Sequence, residues 1–305
     1  MICSEFLRER GILVDRFGKP RSSSADFLYF ASHAHRDHLS GLRKGWKRGT
    51  VNCSEASGKL LKILYGEDLP IRTWRVGAWS RLGSLDIACI HAHHCIGSVM
   101  WLFRFEDGFT AVHTGDYRMH PDILEWPHWP SKVDLLLLDS TYNNPNWHLP
   151  SWKQSTDALE RIYQQIPPNQ QMLIRVHSIG LEEWLAGWLR MHNRHVMLHH
   201  SLSNVIRTAF EQSGCVHHAS SRIVLVSSKY NHPGSAKDVV YVKPSCLYFI
   251  VHRFREVSVQ VNENFYRIWF TFHASYAENE QLANFLHPTQ IQSCVEMPRM
   301  DPKDG

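Results

Sequence analysis

The chain has 305 residues, 43% of them hydrophobic and 20% charged, with a net charge of +4. That content excludes a disordered polymer and is enough to bury the core of two domain-sized units, or of one with an insertion. The charge is too slight to argue an anionic partner by itself. Seven cysteines, odd in number and scattered without a C-x-x-C pair, argue against a disulfide framework and for a reducing compartment. Residues Met1–Arg10 lack the apolar core of a signal peptide. No stretch approaches the roughly 20 apolar residues of a membrane span. A soluble, intracellular protein with no membrane partner is expected.

Ile12–Asp15 reads as a short strand ending in a carboxylate. Phe27–Ala31 reads as a buried strand that runs into His33-Ala34-His35-Arg36-Asp37-His38, and Leu39–Leu42 as the start of a helix. Ser57–Tyr65 has helical apolar spacing. Leu85–Ile90 is a strand leading into His91–Ser98, where His93 and His94 stand side by side. Val99–Phe105 and Phe109–His113 form a hairpin about Glu106-Asp107-Gly108, and the second arm leads to Asp116. Val133–Leu138 is an apolar strand ending in Asp139.

From Tyr142 the texture changes to loop residues, and then to alternating helices and strands. Trp152–Gln165 reads as an amphipathic helix, Met172–Val176 as a strand and Gly180–Met191 as a helix. Val196–His199, Ile223–Val226 and Val239–Val242 read as further strands. An aromatic strand, Phe265–Phe272, ends in His273. A site-type residue returning after such an excursion implies an inserted unit. The expected division is 1–147 and 265–305 for the first domain and 148–264 for the insertion. The tail, Met297–Gly305, is expected to fray.

Asp15, His33, His35, His94, Asp116, Asp139 and His273 all follow strands. Side chains at one set of strand ends converge when the strands share a sheet edge. Crowding such groups gains nothing for packing and suits a divalent metal. By ligand type, His33, His35 and His94 would hold one zinc ion, and Asp37, His38 and His273 a second, with Asp116 bridging. Such a pair polarises a phosphoryl oxygen and activates water near neutral pH. Asp15 and Asp139 suit the supporting task of fixing the tautomers of ligand histidines. Ser178-Ile179-Gly180 precedes a helix, where backbone N–H groups can hold a phosphate. Arg43–Arg48 is a basic loop in which Lys44, Lys47 and Arg48 can meet a phosphate backbone and Trp46 a base.

The run His33–His38, with His94, Asp116 and Asp15, resembles the metallo-β-lactamase superfamily. Ser32, His94–Met100, Thr114–Arg118, Leu138–Tyr142 and Phe272–Tyr276 sharpen this to the Artemis–Apollo family of DNA-repair nucleases, along about Ile12 to Val295. The resemblance implies an α/β fold: a four-layer αββα sandwich with an inserted β-CASP domain. Asp139 then falls on the first β-CASP motif, His273 on the second and Val295 on the third, where DNA-acting members tend to carry Val and RNA-processing members His. It implies catalytic roles for Asp37, His38, Asp116, His273 and Asp139. It also places Ser178, Gly180, Lys243 and Ser245 near substrate phosphate. Two departures stand out: Ile96 replaces the family's proline, and His93 replaces a small or amide residue. A further family zinc site would fall among His199, His200, Cys215, His217 and His218, but a second Cys is missing.

The implied activity is 5′-exonuclease on DNA with single-stranded or 5′-phosphorylated ends, in crosslink or strand-break repair in the nucleus. The implied state is a monomer with one or two zinc ions, and Mg or Mn can serve activity. The alternatives are a structure-selective DNA endonuclease, an RNA-processing β-CASP nuclease and a small-molecule metallo-hydrolase.

Overall fold

The computed structural model describes residues 4–18, 27–234 and 238–295. The tail expected at Met297–Gly305 lies outside them. The chain divides into two compact units. One holds the described residues up to Asn146 with those from Phe272 to Val295, and the other is Trp147–Thr271.

The first unit opens with helix α1 (Glu5–Glu9) and a four-stranded parallel sheet. Its strands lie in chain order: β1 (Ile12–Val14), β2 (Leu28–Phe30), β3 (Val51–Ser54) and β4 (Ile71–Trp74). Helix α2 (Glu55–Tyr65) joins β3 to β4. Ser54 caps it by accepting from the Ser57 N–H, and Gly66 ends it at φ +113°. The chain then builds β5 (Trp79–Leu82), β6 (Leu85–His91), β7 (Val99–Arg104) and β8 (Thr110–His113) as an antiparallel meander. After α3 (Pro121–Glu125), β9 (Leu135–Leu138) pairs parallel with β8.

The second unit starts with α4 (Trp152–Gln165), whose Ser151–Gln154 capping box satisfies two orphan N–H groups. It is an α/β unit with a six-stranded sheet. Its strands are β10 (Gln171–Val176), β11 (Met197–Leu198), β12 (Ile223–Ser227), β13 (Val239–Ser245), β14 (Ser258–Asn262) and β15 (Phe265–Trp269), with α5 (Glu182–Met191), α6 (Asn204–Gln212) and α7 (Leu247–Val251) between them. The order is β11-β12-β10-β13-β15-β14, parallel except for β14. The aromatic strand assigned above to the returning domain, 265–305, therefore belongs here up to Thr271. Its backbone groups pair with β13 on one side and β14 on the other.

Back in the first unit, α8 (Tyr276–Leu286) and β16 (Gln290–Ser293) follow, and β16 pairs parallel with β9. The larger sheet is thus β16-β9-β8-β7-β6-β5. Strand β7 shows why its sequence is apolar throughout. Val99, Trp101 and Phe103 pack with Ile12, Val14 and Phe30 of the smaller sheet. Met100 and Leu102, on the opposite face, pack with Ile123 of α3 and with Leu282 and Leu286 of α8. Period-two side chains buried on both faces read as a continuous apolar run. Helix α2 lies against Cys53, Ile71 and Thr73, the face of the small sheet opposite Trp74. The layers are therefore helix, sheet, sheet, helix: the expected αββα sandwich.

No helix begins at Leu39. A single 3-10 turn, Arg36–Leu39, ends at Ser40, which bridges to Arg16. Gly41 then turns at φ +92°, where an added Cβ would lie 2.3 Å from the Gly18 nitrogen. The close passage of these two segments leaves no room for a helix.

The second unit carries a pH-sensitive tie. Glu160 of α4 receives a two-pronged contact from Arg194, one arm at 2.8 Å, and bonds from Trp188 Nε1 and Gln164. The Arg194 hydrogen bond is the chief cause that draws the Glu160 carboxyl down to about 2 from 4.5. A depressed acid stabilises the fold fully above its unfolded pKa and loses that contribution as pH falls through the folded value. Stability is therefore expected to fall between about pH 4.5 and 2 by on the order of 2 kcal/mol after solvent screening. In Glu160→Gln, acid titration of unfolding should lack this component.

Candidate metal centre

Asp15 follows β1 at φ +55°, a left-handed position that short polar side chains tolerate. Its fully buried carboxylate accepts from the Ser32 N–H and Oγ, each at 2.7 Å, and meets His38 Nδ1 at 2.9 Å. Strand β2 delivers Ser32 and His33, and the 3-10 turn turns His38 back beside them. The His33 and His38 rings lie 4.1 Å apart.

His94 sits in the loop after β6. The Ser98 hydroxyl accepts from the His94 and Cys95 N–H groups, and Gly97 O accepts from the Ser54 and Ser57 hydroxyls. Gly97 has φ +78°, and an added Cβ would stand 2.6 Å from the Ser57 nitrogen. These contacts hold the loop where Ile96 replaces the turn-forming proline. The His94 Nδ1 lies 3.0 Å from Phe272 O and its Nε2 2.9 Å from His35 Nδ1. His94, not His93, is therefore the histidine that joins His35.

Asp116 is at the centre. Its Oδ2 lies 3.0 Å from His38 Nε2, 3.6 Å from His94 Nε2, 3.7 Å from His273 Nδ1 and 3.9 Å from His33 Nε2. Ligand atoms of His33, His35 and His94 fall within 4.8 Å of one another, as do those of His94, Asp116 and His273. His33 Nε2 and Asp116 Oδ1 are buried without a hydrogen-bond partner. Orphaned buried polar atoms are costly unless something compensates them. Five imidazoles and a carboxylate with unused ligand atoms fit a divalent cation.

Charge divides the cluster. Burial, aided by repulsion from His38, His94 and His35, pushes His33 well below its usual range. Burial and the charges of His273 and His35 do the same to His94. Burial also pulls His38 down, but the charge and hydrogen bond of Asp116, with those of Asp15, outweigh it and hold His38 well above. His273 is likewise pulled down by burial and raised overall by Asp139 and Asp116. Neutral imidazoles are ready ligands, and the anions supply the attraction a cation needs.

No protein-family model matches the chain. DNA cross-link repair protein SNM1 of Arabidopsis thaliana is 31% identical over 172 residues, 55% of this chain and 35% of its own length. The 5′ exonuclease Apollo of Danio rerio is 34% identical over 169 residues, 52% of this chain and 29% of its own. The 5′ exonuclease Apollo of Mus musculus is 28% identical over 303 residues, 93% of this chain and 53% of its own. The chain resembles the Artemis–Apollo family of DNA-repair nucleases. It spans about a third of the length of the first two relatives. A crystal structure of a protein of unknown function from Enterococcus faecalis V583 shares the fold, with a TM-score of 0.63 and 14% identity, over 90% of this chain and 76% of that one.

Seen beside the Artemis–Apollo motifs, most of the expected residues meet and some do not. Asp139 is buried and accepts from His273 Nδ1 at 3.0 Å and from the Thr141 N–H at 2.9 Å. Asp37 lies at the edge of the cluster: its side chain is 79% exposed, with a carboxylate oxygen 3.8 Å from His38 Nε2. Its neighbour Arg36 is also exposed. Trp46 is no stacking platform. It is buried against Phe17 and Tyr29 and donates to Gly49 O. His273 follows β15 by four residues and sits in the loop before α8, not at a strand end.

In the second unit the Gly180 N–H donates to both oxygens of the Glu182 carboxylate at 2.8 Å, so it is not open to a phosphate. The Ser178 hydroxyl donates to Ile179 O. Among the described residues, no three metal-ligating side chains gather in the His199–His218 stretch. Cys215 accepts from Ser213 Oγ, and His218 pairs with Ser220.

Several supporting residues carry no sequence signal of their own. His113, at the end of β8, accepts the Gly115 N–H and so shapes the turn that presents Asp116; burial holds its imidazole down at about 4. Arg118 is buried, pairs with Glu278 at 3.0 Å and donates to His273 O. Asn279 of α8 donates to Asp139 O. Arg175 and Arg267 flank Lys243 in the second unit: β13 and β15 pair Lys243 with Arg267, and β10 and β13 pair Ile174 with Val242, one step before Arg175 and Lys243. Burial, then Arg267 and Arg175, push the Lys243 ammonium below its usual range. Arg267 donates to the Ser245 hydroxyl at 3.2 Å.

Proposed function

We propose that the chain is a metal-dependent nuclease that hydrolyses DNA phosphodiester bonds, as a 5′-exonuclease in DNA repair and end processing. One observation carries the reading: four imidazole nitrogens surround the Asp116 Oδ2 within 3.9 Å while its Oδ1 and His33 Nε2 have no partner. The names of the relatives, 5′ exonuclease and DNA cross-link repair protein, support the substrate and the polarity. Val295, buried just after β16, stands at the third-motif position and favours DNA over RNA.

His33, His35 and His94 would hold one zinc ion, and His38 and His273, joined by Asp37, a second, with Asp116 shared. Mg or Mn is the alternative for activity. When bound, the metal polarises the phosphoryl oxygen and activates water. The chain's own residues set this up. Asp15 takes the Nδ1 side of His38 and Phe272 O that of His94, which leaves their Nε2 atoms for the site, while His273 Nδ1 lies between Asp139 and Asp116. In the metal-free protein the charges of Asp139 and Asp116 outweigh burial and raise the His273 imidazole above its usual range.

Lys243 and Ser245, with Arg175 and Arg267, provide a cationic row for the phosphate backbone. The Nε atoms of Arg175 and Arg267 are buried without hydrogen-bond partners. Arg267→Ala is expected to weaken binding of single-stranded DNA and to lower its log–log salt slope by about 0.7, the share of one phosphate contact. An unchanged slope in a salt titration would remove Arg267 from the interface.

The same reading places the protein in the nucleus as a monomer; no helix among the described residues is long and apolar enough to cross a membrane. The decisive experiment is cleavage of end-labelled DNA with and without a 5′-phosphate, in added zinc, manganese or magnesium and in chelator. Stepwise loss from the 5′ end, abolished by chelator, is expected. Products cut only at hairpins or overhangs would make it an endonuclease, and preference for matched RNA would overturn the DNA assignment.

A further inference from the structure

The loop that carries His94 also carries its neighbour, and the two imidazoles serve different places. His93 has φ +51°, an uncommon conformation for a residue with a side chain. Its ring stacks on His120 at 4.2 Å and 21°. Its Nε2 lies 3.5 Å from Asp122 Oδ2, while His120 Nδ1 makes a close contact with Asp122 Oδ1. Two ring nitrogens thus flank the two oxygens of one carboxylate. The ligand atoms of His93, His120 and Asp122 fall within 4.8 Å of one another.

We propose that His93, His120 and Asp122 form an additional divalent-metal site, separate from the Asp116 centre and goes beyond the nuclease reading. The set is two imidazoles and a carboxylate, a borderline donor set that suits zinc, with copper(II) and nickel(II) as competitors. A divalent ion held by the three side chains would take one ring nitrogen from each histidine and an oxygen of the carboxylate. His93 is 12% exposed and fixed, whereas His120 is 40% and Asp122 60% exposed, so the outer two can tilt to close the ligand set.

A cavity of about 150 Å³ adjoins the cluster, lined by His91, His93 and Asp122 with the apolar Ile90, Ile123 and Trp126. It gives an ion room to keep water in its remaining positions. The ion would tie the His93–His94 loop to α3, which is an anchoring role. His93 stands where the resemblance expects a small or amide residue, so the site belongs to this chain and not to the family motif.

The test is zinc content per chain after equilibrium dialysis of the full chain, comparing the wild type with Asp122→Asn and His120→Ala. Each variant should bind one ion fewer than the wild type, while His33→Ala keeps that ion. The same difference is expected if the Asp116 centre proves empty, so failure of the nuclease reading would leave this result intact. Asp122→Asn keeps the shape of a partly exposed side chain. Circular dichroism in chelator should match the wild type, so it carries the test even if His120→Ala does not fold. Equal zinc content in the wild type and Asp122→Asn would overturn the proposal.

Discussion

Asp116→Asn is expected to lower kcat on end-labelled DNA by about three orders of magnitude or more, with a parallel loss of bound metal. The reason is its position. Its Oδ2 lies 3.0 Å from His38 Nε2, and nitrogens of His94, His273 and His33 all lie within 3.9 Å of it. An amide keeps the shape and loses the charge, so it cannot serve two ions. Metal stabilisation of developing phosphoryl charge contributes several kcal/mol, which is a factor of about 10³ or more in rate. The measurement is kcat at saturating metal, together with metal content per chain. Activity within about ten-fold of wild type would sink the two-ion arrangement.

Asp15→Ala is expected to cost about 3–5 kcal/mol of stability, read from denaturant unfolding in chelator. Asp15 is fully buried and satisfies three donors: the Ser32 N–H, the Ser32 hydroxyl and His38. Removal leaves those donors unpaired in a water-poor site, and it strips His38 of one of its two anions. The side chain also holds a φ of +55°, less costly for Asp than for Ala. Burial pushes the Asp15 carboxyl up, but the hydrogen bond and charge of His38, with His113 and Ser32, leave it below its usual range. The carboxylate form is thus the one the fold requires. A loss of under about 1 kcal/mol, the worth of an ordinary hydrogen bond, would show that the three bonds contribute little.

Much of this was legible because the cues are local. Crowded His33–His38 is a metal signature in one short stretch, and the apolar runs of β6, β7 and β9 reflect strands buried on both faces. The helices Glu55–Tyr65 and Trp152–Gln165 have spacing and stops that can be read along the chain. What failed did so where a neighbour distant in sequence decides. Leu39–Leu42 is not helical because Gly18 passes over Gly41. The Gly180 N–H is taken by a carboxylate two residues on, which an N-terminal pattern does not reveal. Trp46 looked available for stacking but is buried against Phe17 and Tyr29.

The sequence by itself determined the ligand types, because histidine and aspartate at strand ends have few other uses; hydrophobic period marked the single strands and helices, and the layered αββα class came with the family resemblance. Only the tertiary structure decided which of those groups share an atom. Asp116 became the centre, Asp37 stayed 79% exposed, and His93 and His94, adjacent in the chain, parted to different clusters. The physical reason is that coordination and pairing act over about 4 Å, a scale on which residues far apart in the chain become neighbours only when their strands are laid into one sheet.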